Sequence, residues 1–152
     1  MFVYRIVKSK KKTEDLSGMG AFLAGGRWND KGIYLLYTSE NSSLAMLENL
    51  VHFDVMETPD DLYILEINID KEDLILEIPE SEYPQDWLKT DNLSCKRLGY
   101  KLISDHKILG FKVRSAVNQS EYNILLDPLF PGYHDLVKIT NVTKISVDTR
   151  LI

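Results

Sequence analysis

Short apolar runs rich in β-branched and aromatic residues recur along the chain, separated by polar or turn-forming segments. Runs of this composition and length are typical of β-strands. They predict strands at Phe2–Val7, Ile33–Tyr37, Leu62–Ile69, Leu74–Ile78, Phe111–Val117, Tyr122–Leu126, Leu136–Thr140 and Lys144–Val147.

A helix is predicted from Ser42 to about Phe53, with Asn41 or Ser42 as its cap, because Leu44, Leu47 and Val51 recur at helical spacing. Glu48 falls at the edge of this apolar arc. A glutamate in such a position is usually a surface residue whose stem lies along the apolar face. Its place in the pattern therefore leaves its role open.

A second, weaker helix is predicted between Asp86 and Leu98, preceded by Pro84 and closed by Gly99. Strands then outnumber helices and do not alternate regularly with them. This order favours the α+β fold class over a doubly wound parallel sheet. No glycine-rich loop of the P-loop or dinucleotide-binding type is present in the sequence.

The composition is that of one globular domain: 152 residues, 44% hydrophobic and 27% charged. The net charge of −5 argues against a general nucleic-acid binder, which needs a basic surface. Leu16–Gly26 is the longest run without Asp, Glu, Lys or Arg, and it is too short to span a membrane. The N-terminus lacks the features of a secretory signal, and with Cys95 as the one cysteine we expect a cytoplasmic protein without disulfides.

Three polar residues interrupt apolar lanes of the predicted strands: Arg5, Tyr37 and Ser115. Such residues need a reason, since alternate positions of a strand share one face. Each has a structural explanation. Arg5 could pair with a buried carboxylate, Tyr37 could be an amphipathic residue at the end of its strand, and the Ser115 hydroxyl could hydrogen-bond to the backbone.

The segment from Gly25 to Gly32 carries an Arg-Trp-Asn triplet, Arg27, Trp28 and Asn29, behind paired glycines. Glycines let a backbone approach a ligand closely, and the triplet offers a cation, a stacking surface and an amide. The alternative is a structured loop whose Trp28 packs on the core. The three histidines and Cys95 show no metal-ligand spacing, so no metal is expected.

In this order the residues resemble the RES-domain family, toxins of bacterial toxin–antitoxin pairs whose antitoxins carry an Xre-like helix-turn-helix. The family is named for an Arg, a Glu and a Ser. The match runs over most of the chain, from the first strand to about Pro131. Its segments are Val3–Ile6, Gly20–Ala21, Gly25–Asn29, Gly32, Tyr37–Glu40, Ala45, Leu47–Glu48, His52, Val113–Val117 and Asn123–Pro128.

This chain departs from the family at two positions. Arg114 stands where a proline commonly precedes the motif serine, and Phe130 stands where the family commonly has a histidine. The three name-giving residue types are all present. The resemblance therefore predicts a RES domain over residues 1–152, with the match strongest over 1–131.

The resemblance implies an α+β fold similar to diphtheria-toxin-type ADP-ribosyltransferases and an activity that consumes NAD by hydrolysis or phosphorolysis. It identifies Arg27, Tyr37, Glu48 and Ser115 as catalytic residues. It places Arg5, Trp28, Asn29 and Asn123 in the nucleotide-binding set.

The expected chemistry suits a site with one carboxylate. Nicotinamide in NAD is already cationic and leaves neutral, so no general acid is required, unlike in glycoside hydrolysis. Glu48 would hold the ribose hydroxyls and stabilise the developing positive charge. Arg27 and Arg5 would hold the pyrophosphate, Tyr37 would stack on nicotinamide, and Ser115 would bond near its ribose.

The resemblance also implies an Xre-like antitoxin that covers the NAD pocket and a toxin homodimer within the complex, without direct contact between toxin and nucleic acid. Two alternatives remain open. The chain could transfer ADP-ribose to a protein, or it could be a catalytically idle binding module of the same fold.

Overall fold

The computed structural model describes residues 1–52 and 61–151. Their strands join in one sheet, in the order β4-β5-β6-β2-β1-β3-β7. All neighbouring strands are antiparallel except β4 and β5, which are parallel. The strands are β1 (Phe2–Val7), β2 (Leu36–Ser39), β3 (Leu62–Ile69), β4 (Ile75–Glu77), β5 (Gly110–Arg114), β6 (Tyr122–Leu126) and β7 (Val137–Ile145).

The helices are few and short: α1 (Met19–Ala24), α2 (Ser42–Leu50), α3 (Leu93–Ile103) and α4 (Tyr133–Leu136), with 3₁₀ turns at Lys10–Lys12, Glu72–Leu74, Glu80–Glu82 and Thr149–Leu151. No helix among the described residues is long and apolar enough to cross a membrane. This architecture confirms the predicted α+β class with a mixed, mostly antiparallel sheet.

The central strands β1 and β6 are buried on both faces of the sheet, as the alternation of their side chains shows. In β6, Ile124 and Leu126 join one apolar cluster, while Leu125 between them joins the other. In β1, Val3 and Val7 face the first of these clusters, and Ile6 packs under α2. Successive side chains of a strand point to opposite faces, so each central strand contributes to two cores.

Three predicted strands match the observed bounds: Phe2–Val7, Leu62–Ile69 and Tyr122–Leu126. The two runs predicted at the C-terminal end are one strand, β7, which stays paired with β3 across a register shift between Glu66 and Ile67. The polar residues between the two apolar runs suggested a break. A bulge instead lets the strand continue through them.

Two other predicted strands are displaced. Ile33–Tyr37 is observed as Leu36–Ser39, because the residues before it lie against α1: Gly32 N donates to Phe22 O, and Tyr34 stacks on Phe22. The strand predicted at Phe111–Val117 ends at Arg114. Ser115 Oγ there accepts hydrogen bonds from Val117 N and Asn118 N, which turns the chain.

Helix α2 begins at Ser42 as predicted, with Asn41 as its cap, and it ends at Leu50; the predicted end, Phe53, lies outside the described residues. The prediction for the next helix was wrong in both bounds. It spans Leu93–Ile103, because the Asn92 side chain accepts from Ser94 N and Cys95 N and so begins the helix there.

Gly99 lies inside α3 and does not close it. At this point the helix crosses the loop that holds Trp28, and a Cβ on Gly99 would lie 1.9 Å from the Trp28 carbonyl oxygen. The glycine is therefore needed for the close contact between helix and loop.

We expect Gly99→Ala to lower the free energy of unfolding by about 3 kcal/mol, because the clash is with backbone that cannot rotate away. Urea unfolding at neutral pH measures this. Gly20→Ala in α1 is the matched control, since a Cβ there meets nothing within 4 Å. Equal stability of the two variants would contradict the packing described here.

Candidate active site

The main cavity opens where two neighbouring strands separate. β1 pairs with β3 along its whole length but with β2 at one position, Tyr4 opposite Ser39. The cavity between the strands has a volume of about 740 Å³, within the range of small-molecule sites. Its described wall carries the basic residues Arg5, Lys8, Arg27, Lys96 and Arg114 against the acidic residues Glu48 and Asp91. An acidic chain thus has a basic cleft, which favours an anionic ligand.

Glu48 projects from α2 into this cleft, and both of its described hydrogen bonds end on one oxygen. Ser115 Oγ donates to Glu48 Oε1 at 2.6 Å, and Asn123 Nδ2 donates to the same atom at 2.7 Å. No described residue hydrogen-bonds Oε2. The carboxylate is therefore fixed in orientation, with one oxygen left for a ligand.

Ser115 is fully buried. Its hydroxyl accepts from the backbone, as one reading of the sequence expected, and also donates to Glu48. Its side chain is not part of the cavity wall, although the next two residues, Ala116 and Val117, are. Ser115 therefore contacts Glu48, and a role beside the nicotinamide ribose stays a prediction.

Tyr37 lies inside β2, and its hydroxyl is hydrogen-bonded within the protein. The alternative of a tyrosine at a strand end with its hydroxyl in solvent does not hold. Tyr37 Oη donates to Asn29 Oδ1 at 2.7 Å and accepts from Trp28 N at 3.0 Å. Burial raises the pKa of the phenol, which therefore stays neutral at physiological pH. The ring also lines the cavity.

The glycine pair before Arg27 serves this same contact. A Cβ on Gly26 would lie 2.6 Å from Tyr37 Oη, so the close approach that the sequence suggested is to a side chain of the protein itself. Gly25 has a φ of 72° at the end of α1, a backbone conformation that favours glycine.

Asn29 is buried and lies outside the cavity wall. Its Nδ2 donates to the carbonyls of Ala21, Asp30 and Ile33, and its Oδ1 is taken by Tyr37. These bonds occupy the amide, so the structure gives Asn29 a role in holding the loop. Trp28 is 3% exposed and packs edge-on against Tyr83 and Phe111, as the core alternative expected, while also lining the cavity.

Arg5 bridges the gap between the separating strands. Its Nη1 donates to the Tyr37 carbonyl at 2.9 Å, a main-chain partner and not the carboxylate that the sequence suggested. Its Nε is buried and has no partner among the described residues. Burial lowers the pKa of the guanidinium, although an arginine stays charged. A buried cation with an unpaired N–H at a cavity wall suits an anionic ligand.

Arg27 is tied to the segment before α3. Its Nη1 donates to Trp87 O at 2.6 Å and to Lys89 O at 3.0 Å. Within the described chain these bonds use one nitrogen of the fork, so the other N–H groups can bind a ligand. Arg27, in the loop after α1, and Arg5, in β1, thus both line the same cleft.

Three further residues of the site were missed or left unassigned by the sequence. Ser39 donates to Asn123 Oδ1 at 2.8 Å, and Asn49 lines the cavity with an Oδ1 that no described residue satisfies. Arg114 also reaches the cavity wall and pairs with Glu80. Serines and asparagines are too common for one sequence to mark these as functional.

Phe130 lies away from this cleft, against the first apolar cluster, and Asp127 in the same segment accepts a hydrogen bond from His106 at 2.6 Å if the ring nitrogen is protonated. Cys95 is fully buried. Burial raises the pKa of its thiol. Within residues 1–52 and 61–151, no three metal-ligating side chains form a cluster.

The fold and cleft define a small α+β protein with one carboxylate fixed in a basic cavity. The family model described as the RES domain matches residues 2–148, and the chain belongs to that family. The predicted resemblance to this family is thereby confirmed.

Similar proteins agree with this assignment. "Toxin Res" of Photorhabdus laumondii is 32% identical over 100% of this chain and 97% of its own length. The "Prs ADP-ribosylating toxin" of a Sphingobium species is 29% identical over 93% of this chain and 89% of its own. A chain in the crystal structure of the M. tuberculosis MbcT–MbcA toxin–antitoxin complex superposes with a TM-score of 0.73, at 18% identity, over 95% of this chain and 84% of that one.

We expect Tyr37→Phe to lower the free energy of unfolding by about 2–3 kcal/mol, because it leaves the Trp28 N–H and the Asn29 Oδ1 without a partner. Denaturant unfolding at pH 7 measures this. Tyr100→Phe is the matched control, since Tyr100 is 55% exposed and should be within about 0.5 kcal/mol of wild type. A Tyr37→Phe protein as stable as that control would show that the loop does not depend on the hydroxyl.

Proposed function

We propose that the chain is an enzyme that cleaves the nicotinamide–ribose bond of NAD, with water or phosphate as the acceptor. The observation that carries the proposal is the Glu48 carboxylate, held through Oε1 in a basic cleft, while no described residue hydrogen-bonds Oε2. A fixed negative charge at this place stabilises an oxocarbenium-like state and costs no reorganisation during the reaction.

The cleft supplies what a dinucleotide needs. Arg27 and Arg5 provide planar N–H donors suited to pyrophosphate oxygens, and the buried Nε of Arg5 has no partner among the described residues. The Tyr37 ring provides a face for nicotinamide, with its hydroxyl turned inward toward Asn29. Asn123 and Ser115 act on Glu48, while Trp28 forms part of the wall.

The proposal for the partner rests on the resemblance to the family, and the proposal for the compartment rests on the single cysteine, Cys95. We propose an Xre-like antitoxin that covers the cleft and a toxin homodimer within the complex, in the cytoplasm and without direct nucleic-acid contact by the toxin. The solved complex named above supports an antitoxin partner. Exposed apolar side chains at the cleft, Val51 (55%) and Val117 (36%), provide surface for such a partner.

We expect Glu48→Gln to lower the rate of nicotinamide release from NAD at least about a hundredfold, since the amide keeps the size of the side chain and loses its charge. Chromatography of NAD incubated with the purified protein, with and without phosphate, gives the rate and the acceptor. ADP-ribose would identify water, and its 1″-phosphate would identify phosphate.

Glu82→Gln is the control, because Glu82 is exposed in a 3₁₀ turn away from the cleft and its variant should keep the wild-type rate. A folded Glu48→Gln protein that releases nicotinamide at the wild-type rate would refute the mechanism.

A second function, transfer of ADP-ribose to a protein, is favoured by one observation, the relative named as an ADP-ribosylating toxin. It would use the same carboxylate and the same cleft. The test uses NAD that is radiolabelled in its adenylate part. If the label appears on a protein band and not as free ADP-ribose, the chain transfers ADP-ribose to a protein.

A further inference from the structure

A hydrogen-bond relay runs from β2 through β6 to the carboxylate on α2. Ser39 Oγ donates to Asn123 Oδ1 at 2.8 Å, and Asn123 Nδ2 donates to Glu48 Oε1 at 2.7 Å. We propose that Ser39 is a positioning residue that orients Glu48 through Asn123. The expected effect of Ser39 on kcat rests on the proposed function. Its effect on the orientation of Asn123 and Glu48 rests on the hydrogen bonds alone.

The register of the sheet places the first two members side by side. Ser39 and Asn123 are directly opposite in the antiparallel pair of β2 and β6, so their side chains share one face. Helix α2 begins three residues after Ser39 and folds back across that face, which brings Glu48 to the amide. Ser39 is 4% exposed and is among the residues that line the cavity.

The chemistry of the three groups gives the relay one direction. An ionised carboxylate only accepts, so the Asn123 NH₂ group must face Glu48. The Asn123 carbonyl oxygen then points at Ser39, whose hydroxyl must donate to it. Without that donor, the partly buried amide oxygen of Asn123 loses its hydrogen bond, and the amide is free to turn away from Glu48.

The consequence concerns the free oxygen of Glu48. Ser115 and Asn123 bind Oε1 from two different directions, and together they fix the plane of the carboxylate. With one of them lost, Oε2 moves relative to the bound ribose. Misplacement of a catalytic group by about 1 Å can cost up to about a hundredfold in rate. Substrate affinity, which depends on the arginines and the cavity wall, should change little.

The test is a double-mutant cycle on nicotinamide release with Ser39→Ala, Asn123→Ala and the double variant. We expect Ser39→Ala to lower kcat about tenfold with KM within about twofold of wild type. In the Asn123→Ala background, the Ser39→Ala change should cost less than about twofold, because the hydroxyl then has no amide to act on. Losses that multiply, or a Ser39→Ala protein with wild-type kcat, would overturn the proposal.

Thr38→Val is the matched control. Thr38 is equally buried on the same strand, and its hydroxyl donates to the Ile124 carbonyl, outside the relay. We expect Thr38→Val to lower the free energy of unfolding as Ser39→Ala does, and to keep kcat within about twofold of wild type. If Ser39→Ala does not fold, Ser39→Cys, which keeps the size and weakens the donor, takes its place in the cycle.

A second readout separates this inference from the proposed function. If wild-type protein releases no nicotinamide, the function is wrong, and the relay is judged by NMR of the Asn123 side-chain amide. The relay is supported if the Asn123 amide hydrogens exchange slowly in wild type and in Thr38→Val, and at least about tenfold faster in Ser39→Ala. Equal exchange in all three proteins overturns it.

Discussion

The Glu48 carboxylate accepts two hydrogen bonds on one oxygen, from Ser115 and Asn123, and the rest of the cleft is arranged around this contact. The partners are 67 and 75 residues away along the chain, so the contact exists only when β5, β6 and β2 lie side by side. A half-buried charge needs such donors, because water no longer solvates it fully. The same bonds that stabilise the folded chain thus leave the second oxygen without a partner among the described residues.

A gap in the sheet provides the space. β1 and β2 share one paired position, and the Arg5 side chain, not a backbone N–H, binds the Tyr37 carbonyl beyond it. On the opposite side of β2, the Tyr37 hydroxyl holds the loop that carries Arg27. Strand β2 therefore organises both walls of the cleft. The Tyr37 carbonyl binds Arg5, and the Tyr37 hydroxyl holds the loop of Arg27. The last residue of the strand, Ser39, donates to the Asn123 amide oxygen beside Glu48.

Much of this could be predicted from the sequence, and the failures have physical causes. Apolar runs located β1, β3 and β6, because short runs rich in β-branched and aromatic residues are typical of strands. Pattern could not place α3, because its start depends on the Asn92 cap and its path on a glycine against a distant carbonyl. The eight residues of the predicted site lie in or around the cleft, but their contacts depend on tertiary structure. Asn29, predicted to bind substrate, has its amide fully used by the protein, and Ser39 could not be distinguished from any other strand serine.

We propose that the second carboxylate oxygen of Glu48, Oε2, receives the nicotinamide ribose in a cleft where arginines hold the pyrophosphate. A crystal structure with a hydrolysis-resistant carbocyclic NAD analogue tests it most directly. We expect a ribose hydroxyl within about 3.2 Å of Glu48 Oε2 and the pyrophosphate beside Arg27 and Arg5. An analogue bound in the cleft with its nicotinamide ribose away from Glu48, or bound elsewhere on the protein, would contradict it.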